Sequence, residues 1–344
     1  MDHFQRNGEY GVCMFFVISG FLITRIIDLD KGGLFRPSWK SFYVRRIGRI
    51  VPLFLFAVGL GLLFNLCPHL DSKKFNYCFK LPANPADPLF WSSIFTSTFN
   101  WVEALWGGSW KGIGIHWVVF WSLAVEEQFY FFYPWVLRKM NGPKALSRFL
   151  LLVAAASFLW RLGLFLAGEE NISVSMRVFI GSFDQIAIGA LLYLVHRGYR
   201  PYFMGKPKLC WALVGGGISV LILNHLTTFC IVNKADRVYA PSLVALGLFL
   251  FLLGGLHLEF FESKYFKFFA LPGKYSYGNY LLHITALYFL HSVLWDLNIV
   301  VAFLLYVGVT TLFSSLSFRF LEKPANRFIR KCLGPRPVIP GWMH

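Results

Sequence analysis

Residues 43–64 read Tyr43-Val44-Arg45-Arg46-Ile47-Gly48-Arg49-Ile50-Val51-Pro52-Leu53-Phe54-Leu55-Phe56-Ala57-Val58-Gly59-Leu60-Gly61-Leu62-Leu63-Phe64, three arginines in five positions running straight into an apolar stretch. A second apolar run, about residues 10–27, lies upstream. Burying a cation at bilayer depth costs several kcal/mol, so arginines at the end of a span sit at the interface, where they set topology or bind an anion. A guanidinium offers a planar fork of donors that meets a phosphate in two places at once. The triplet therefore fits a phosphate-rich ligand or anionic headgroups, and equally a plain positive-inside signal.

The pattern repeats outward from there. The 344 residues are 56% hydrophobic, 19% aromatic and only 15% charged, with a mean hydropathy of +0.55. Apolar runs of about 20 residues recur along the whole length, the mark of a polytopic all-α membrane protein. The sequence shows no internal repeat and reads as one membrane domain over residues 1–344. Nine spans are expected, at about 10–27, 48–66, 118–137, 149–167, 179–196, 209–230, 239–257, 278–296 and 298–318.

The net charge of +16 sits in short loops, which points to topology and away from nucleic acid. Counted on alternate sides of the spans, Lys and Arg number 24 on one side and 8 on the other, with Arg161 inside a span. The first side, with the arginine triplet and the 319–344 tail, is expected to be cytoplasmic; residues 1–9 and the 67–117 loop face out. Met1–Glu9 is polar and has no apolar core of its own, so no cleavable leader is expected. Of six cysteines, Cys67 and Cys78 share the outer loop and have the option of pairing in an oxidising compartment, and none shows metal-ligand spacing.

Polar residues inside the apolar runs are the candidates for chemistry. Trp121-Ser-Leu-Ala-Val-Glu-Glu-Gln-Phe-Tyr130 buries two carboxylates in a span, where each must be protonated, paired or facing a wet cavity. Ser122, Glu126 and Tyr130, spaced i, i+4, i+8, stack on one helix face; Glu127 points elsewhere. Arg161 and Asp184 are intramembrane charges suited either to pairing across spans or to binding a substrate. His283, in Tyr275-Ser-Tyr-Gly-Asn-Tyr-Leu-Leu-His, reads more readily as a packing residue than as a catalyst. Gly11, Ser19 and Gly20 in Tyr10–Thr24 allow close helix approach. In Phe318-Arg-Phe-Leu-Glu-Lys-Pro-Ala-Asn-Arg327 the proline is expected to stop the last span and the charges to anchor it at the membrane edge.

Taken in order, G-V-x-x-F-F-V-I-S-G-F-L-I-T, R-R-x-x-R-I-x-P, W-S-L-A-V-E-E-Q-F-Y, S-Y-G-x-Y-L-x-H and F-R-x-x-E-x-P resemble the acyltransferase-3 family of integral membrane O-acyltransferases, over about residues 3–330. The resemblance implies a ten-helix bundle in a bacterial plasma or inner membrane. Such a bundle moves an acyl group, most often acetyl, from cytoplasmic acyl-CoA to a hydroxyl of a carbohydrate or glycolipid acceptor, with no permanently bound cofactor. Arg45, Arg46 and Arg49 match the arginine motif taken to hold the CoA phosphates. Ser122, Glu126 and Tyr130 match the motif whose Glu is placed in the catalytic or acceptor site. The family's key His follows a basic residue on a first helix; His3 is its best match, while that helix and basic residue do not precede it here. Nine spans with residues 1–9 outside agree with a first helix missing from this sequence, through a misplaced start or a fragment. Cys13 stands where relatives commonly carry Asp or another polar residue.

The implied chemistry is acyl transfer with His3 as general base, Glu126 orienting it or binding the sugar, and Asp184 and Arg161 as further substrate-binding candidates. The rival from another class is a transporter or flippase with Glu126, Asp184 and Arg161 as an ion relay, although no inverted repeat is evident; an inactive remnant is the third reading. The charge map makes a direct prediction: in a cysteine-free background, cysteine at Ser38 should react with thiol reagents only from the cytoplasm, and cysteine at Ser72 only from outside. Labelling of both from one face would refute the span assignment.

Overall fold

The structure is a computed structural model that describes residues 2–30, 32–66, 78–106, 113–168, 178–230, 235–262, 273, 275–294 and 297–333. Every regular element among these is helical: α1 (Asp2–Asp28), α2 (Trp39–Asn65), α3 (Pro88–Phe95), α4 (Phe99–Trp106), α5 (Ile115–Val118), α6 (Phe120–Lys139), α7 (Pro143–Leu166), α8 (Phe183–Met204), α9 (Pro207–Cys230), α10 (Asp236–Gly255), α11 (Ser276–Leu294), α12 (Ile299–Ser317) and α13 (Lys323–Leu333). Local chemistry sets several starts. Asp87 accepts from Leu89 N at α3 and Asn298 from Val300 N at α12, both at 2.9 Å, each satisfying an orphan donor of the first turn. Pro143 opens α7 behind Gly142, whose φ of 109° suits glycine.

Six helical stretches among the described residues are long and apolar enough to cross a membrane: Tyr10–Asp28, Trp39–Asn65, Pro143–Leu166, Pro207–Thr228, Asp236–Gly255 and Ile299–Leu333. The other three expected spans are helices as well, α6, α8 and α11, of 20, 22 and 19 residues. Two of these, α6 and α8, are set apart by burial. α8 is buried almost without interruption from Phe183 to Leu194, and α6 from Phe120 to Glu126, so neither offers lipid the continuous apolar surface that hydropathy detects. The peripheral helices are the reverse: Leu151, Leu152 and Leu159 of α7 and Ile222, Leu223 and Leu226 of α9 are exposed.

The chain divides into two compact units. The first comprises Met1–Pro37, Ala86–Trp110 and Phe120–Lys267, and its core is built on close crossings. At α1 against α8 the fit is reciprocal: a Cβ at Gly20 would overlap the Ile186 carbonyl, and one at Gly189 the Val17 carbonyl. The expectation for Gly20 holds, whereas Gly11 has open space around its missing Cβ. At α9 against α10, Gly254 lies against the Cys210 carbonyl and Gly217 against the Gly247 carbonyl. In lipid there is no hydrophobic force between helices, so such backbone approach supplies the packing energy.

The second unit comprises Ser38–Pro85, Lys111–Val119 and Phe268–His344. Here α11 and α12 pack side by side, with Gly278 against Ser314, and Gly48 of α2 admits Asn326 of α13, whose Cγ would lie 3.2 Å from an added Cβ. The Tyr277 hydroxyl donates to Ile50 O of α2 at 3.0 Å. Cys78 is a buried free thiol that burial pushes up to about 11; Cys67 lies outside the described residues. One expectation is overturned. Pro324 does not stop the last helix: α12 passes through a π turn, Phe318–Glu322, and continues as α13 to Leu333. The wider turn just upstream makes room for the proline ring and for the N–H it lacks.

The glycine crossings carry a prediction. Gly189→Val should lower unfolding free energy in detergent by about 3 kcal/mol, the upper range for overpacking a tight core. Gly163→Ala, where nothing lies within 4 Å of an added Cβ, should be neutral or stabilising by about 0.5–1 kcal/mol. Equal effects would mean that the α1–α8 contact is not close.

Candidate active site

On α6, Ser122, Glu126 and Tyr130 are all buried, and the Tyr130 hydroxyl donates to Glu126 Oε1. The i, i+4, i+8 spacing thus produces a buried column whose Glu126 and Tyr130 are hydrogen-bonded, while Glu127, one step of about 100° further round, is half-buried on another side. Neighbouring elements fix the column. Phe16 of α1 meets Trp121 edge-on at 6.1 Å, Thr24 Oγ1 is 2.9 Å from the Tyr133 hydroxyl, and Phe129 meets Phe183 of α8 edge-on at 5.5 Å. The sequence stretches Gly11–Thr24 and Trp121–Tyr130 are therefore packed together in the first unit. His3 belongs to the same unit, in the first turn of α1; its side chain lies outside the described residues.

Arg161 and Asp184 are brought together, fully buried, as a two-pronged pair with Nη1···Oδ1 at 3.0 Å and Nη2···Oδ2 at 2.6 Å. Arg161 Nε donates to Val238 O at 3.0 Å, Nη1 also to Gly181 O and Nη2 also to Ser242 Oγ. A guanidinium has five N–H donors, and these five bonds use them all. Asp184 in turn accepts from Ser242 Oγ at 2.7 Å and from Gln185 Nε2 at 3.0 Å. This is the geometry of the cross-span pairing that the sequence allowed. Ser242, which bridges the two charges, carried no signal in the sequence, because a lone serine in an apolar run is unremarkable until its neighbours are known.

In the second unit the arginine triplet occupies the first turns of α2. Arg45, Arg46 and Arg49 are all half-buried, and the Arg46 guanidinium lies 6.0 Å over the Phe42 ring. Arg49 lines a cleft of about 440 Å³. Its aromatic wall is Tyr275, Tyr277 and Phe318, with Tyr275 and Phe318 edge to face at 5.5 Å. The remaining wall is Glu322 of the π turn followed by Lys323, Asn326, Arg327 and Arg330 of α13. The cations of α13 were read from sequence as an anchor; their place on the cleft depends on the helix continuing past Pro324.

His283 is hydrogen-bonded through Nδ1 to Tyr280 O, and Tyr306 donates to its carbonyl at 3.2 Å. The sequence did not single out His116, which is fully buried with Nε2 at 2.9 Å from Ala57 O. Its position before span 118–137 gave no hint that α5 packs at the depth of α2.

Long apolar helices, a buried carboxylate column and a cation-lined cleft describe a polytopic membrane protein of the acyl-transferring class. Residues 2–319 match the profile of an acyltransferase domain, and the chain belongs to the acyltransferase-3 family. It is 27% identical over 337 residues to the peptidoglycan O-acetyltransferase OatA of Listeria monocytogenes, covering 94% of this chain and 52% of the relative. To the O-acetyltransferase OatA of Staphylococcus aureus (strain NCTC 8325 / PS 47) it is 25% identical over 344 residues, 93% of this chain and 53% of the relative. A protein of Staphylococcus aureus (strain COL), provisionally named an O-acetyltransferase, is 27% identical over 360 residues, 96% and 55%. The chain spans about half the length of the curated relatives it matches. No solved structure matches it.

The Arg161 pair yields a prediction of stability. Arg161→Met leaves Asp184 buried without its counter-charge and should cost roughly 3–5 kcal/mol. Arg161→Met with Asp184→Leu should be less destabilising than the single change. Denaturant unfolding in detergent measures both, and a neutral Arg161→Met would remove the pair from any structural role.

Proposed function

We propose that this chain is the membrane domain of an O-acetyltransferase that takes an acetyl group from cytoplasmic acyl-CoA and places it on a hydroxyl of a cell-envelope carbohydrate. The observation that carries the reading is the buried Ser122–Glu126–Tyr130 column on α6, clamped by the Gly11–Thr24 stretch of α1. The family membership supports acyl transfer, and the relative named a peptidoglycan O-acetyltransferase favours a glycan acceptor. The relay alternative is weakened by Arg161, whose donors are all committed to protein acceptors. We assign Arg161 and Asp184 to the scaffold of the first unit and leave acceptor binding to the α6 column.

The chemistry follows from the groups. An alcohol has a pKa far above 7, so its attack on a thioester needs a base within hydrogen-bond reach. In this reading His3 takes the hydroxyl proton, the alcohol oxygen bonds to the acyl carbon, the C–S bond breaks, and the CoA thiolate leaves and recovers the proton. Glu126, held by Tyr130, orients the imidazole or the sugar. Arg45, Arg46 and Arg49 hold the CoA phosphates, binding energy remote from the reacting carbon that positions the thioester. The membrane is multi-pass bacterial plasma membrane, with the arginines and the C-terminus on the cytoplasmic side.

Transfer of labelled acetyl from acetyl-CoA to glycan tests the reading. Glu126→Gln and His3→Ala should each abolish transfer, and the double variant should be hardly worse than either, because residues acting as a unit are non-additive. Glu127→Gln should retain most activity. A sensitive Glu127 with a tolerant Glu126 would move the site to the other face of α6.

A further inference from the structure

The cleft of the second unit gathers three stretches far apart in sequence: Arg49 after Arg45-Arg46, the Tyr275-Ser-Tyr-Gly segment, and Phe318–Arg330. We propose that it is a phosphate cradle in which Lys323, Arg327 and Arg330 of α13 join Arg49 in holding the phosphates of the nucleotide thioester donor. The proposal rests on the reading of Arg49 as a donor-binding residue and extends the site to a helix that the sequence presented as a membrane-edge anchor.

Charge, register and shape all support it. Four cations face the cleft against one carboxylate, Glu322, which is buried, accepts from Ser317 Oγ at 3.5 Å and interacts electrostatically with Arg49. A polyanion compensates that excess; a neutral ligand does not. Lys323, Arg327 and Arg330 fall at i, i+4 and i+7, one face of a helix, and that face is the one turned to the cleft. Of the apolar residues of α13, Phe328 and Leu333 are 68% and 51% exposed and Ile329 is half-buried, and none takes part in the lining. The helix thus turns three of its four cations to the cleft and leaves Phe328 and Leu333 uncovered, as suits a helix lying against lipid. Gly48 suits the arrangement, because an added Cβ would sit close to the Asn326 side chain, which would have to give by a few tenths of an ångström. A volume of about 440 Å³ lies within the range of small-molecule sites, and Tyr275 and Phe318 offer ring surface to a base.

The test is calorimetric titration of CoA into the full chain in zwitterionic detergent. Arg327→Gln with Arg330→Gln should weaken CoA binding about tenfold or more, the order expected for losing bonds to a charged group. Lys331→Gln, on the same helix but outside the lining, should stay within about twofold. Arg327→Lys with Arg330→Lys should recover part of the loss, which separates charge from folding. Unchanged affinity in the double Gln variant, with a loss in Arg49→Gln, overturns the proposal and leaves Arg49 as a donor residue. No loss in either variant, or no CoA binding by the unaltered chain, overturns both. A double variant that binds CoA normally but loses phosphatidylglycerol from mixed bilayers makes the cleft a lipid headgroup site and overturns the nucleotide assignment.

Discussion

A guanidinium with no solvent exposure inside an apolar bundle must be given a complete substitute for water, and the first unit is arranged around that demand. Removing two charges from water costs several kcal/mol per ion, and the attraction between them offsets this only when every donor and lone pair is met. Arg161 is met by a carboxylate, a hydroxyl and two backbone carbonyls. Those acceptors come from α7's neighbours: the turn before α8, the start of α8, and α10. Asp184 also lies in the first turn of α8, where the helix dipole favours a negative charge. The pair therefore fixes how three spans meet, and a packing fault in any one of them would strand a charge.

Around that fixed point the helices divide by what they touch. α8 and α6 are interior over much of their length, whereas α7 and α9 of the same unit carry exposed leucine and isoleucine. Ionisable groups in spans face the bundle interior, and the buried part of α6 keeps Glu126 inside, where the i, i+4 spacing sets it beside Tyr130. The glycines of α1 and α8 bring those two backbones together, and α1 also sets Phe16 and Thr24 against Trp121 and Tyr133 of α6. In the second unit Gly48 plays the corresponding part for α13.

How much of this was legible in the sequence depended on the range of the signal. Apolar runs, i, i+4, i+8 spacing and glycine in a span are local, and from them came the helical membrane class, the α6 column and the Gly20 crossing. The apolar criterion worked for helices that face lipid and lost force for α6, α8 and α11, because an interior helix is chosen for its partners. Ser242 and His116 owe their roles to residues tens of positions away. Pro324 misled for a different reason: the rule that proline ends a helix assumes α geometry upstream, and Phe318–Glu322 is not α.

That π turn has a consequence in counting. It holds one residue more than a regular helix would use over the same rise, so it behaves as a retained single-residue insertion. Every position from Lys323 onward inherits an azimuth set by that extra residue, about 100° from where an uninterrupted helix would place it. Loss of one residue between Phe318 and Glu322 would restore a regular helix with the same side chains still toward α2, whereas straightening the turn with every residue retained would turn a different set there. The turn is in this sense a register device: it sets which side chains of α13 line the cleft without any of them being changed.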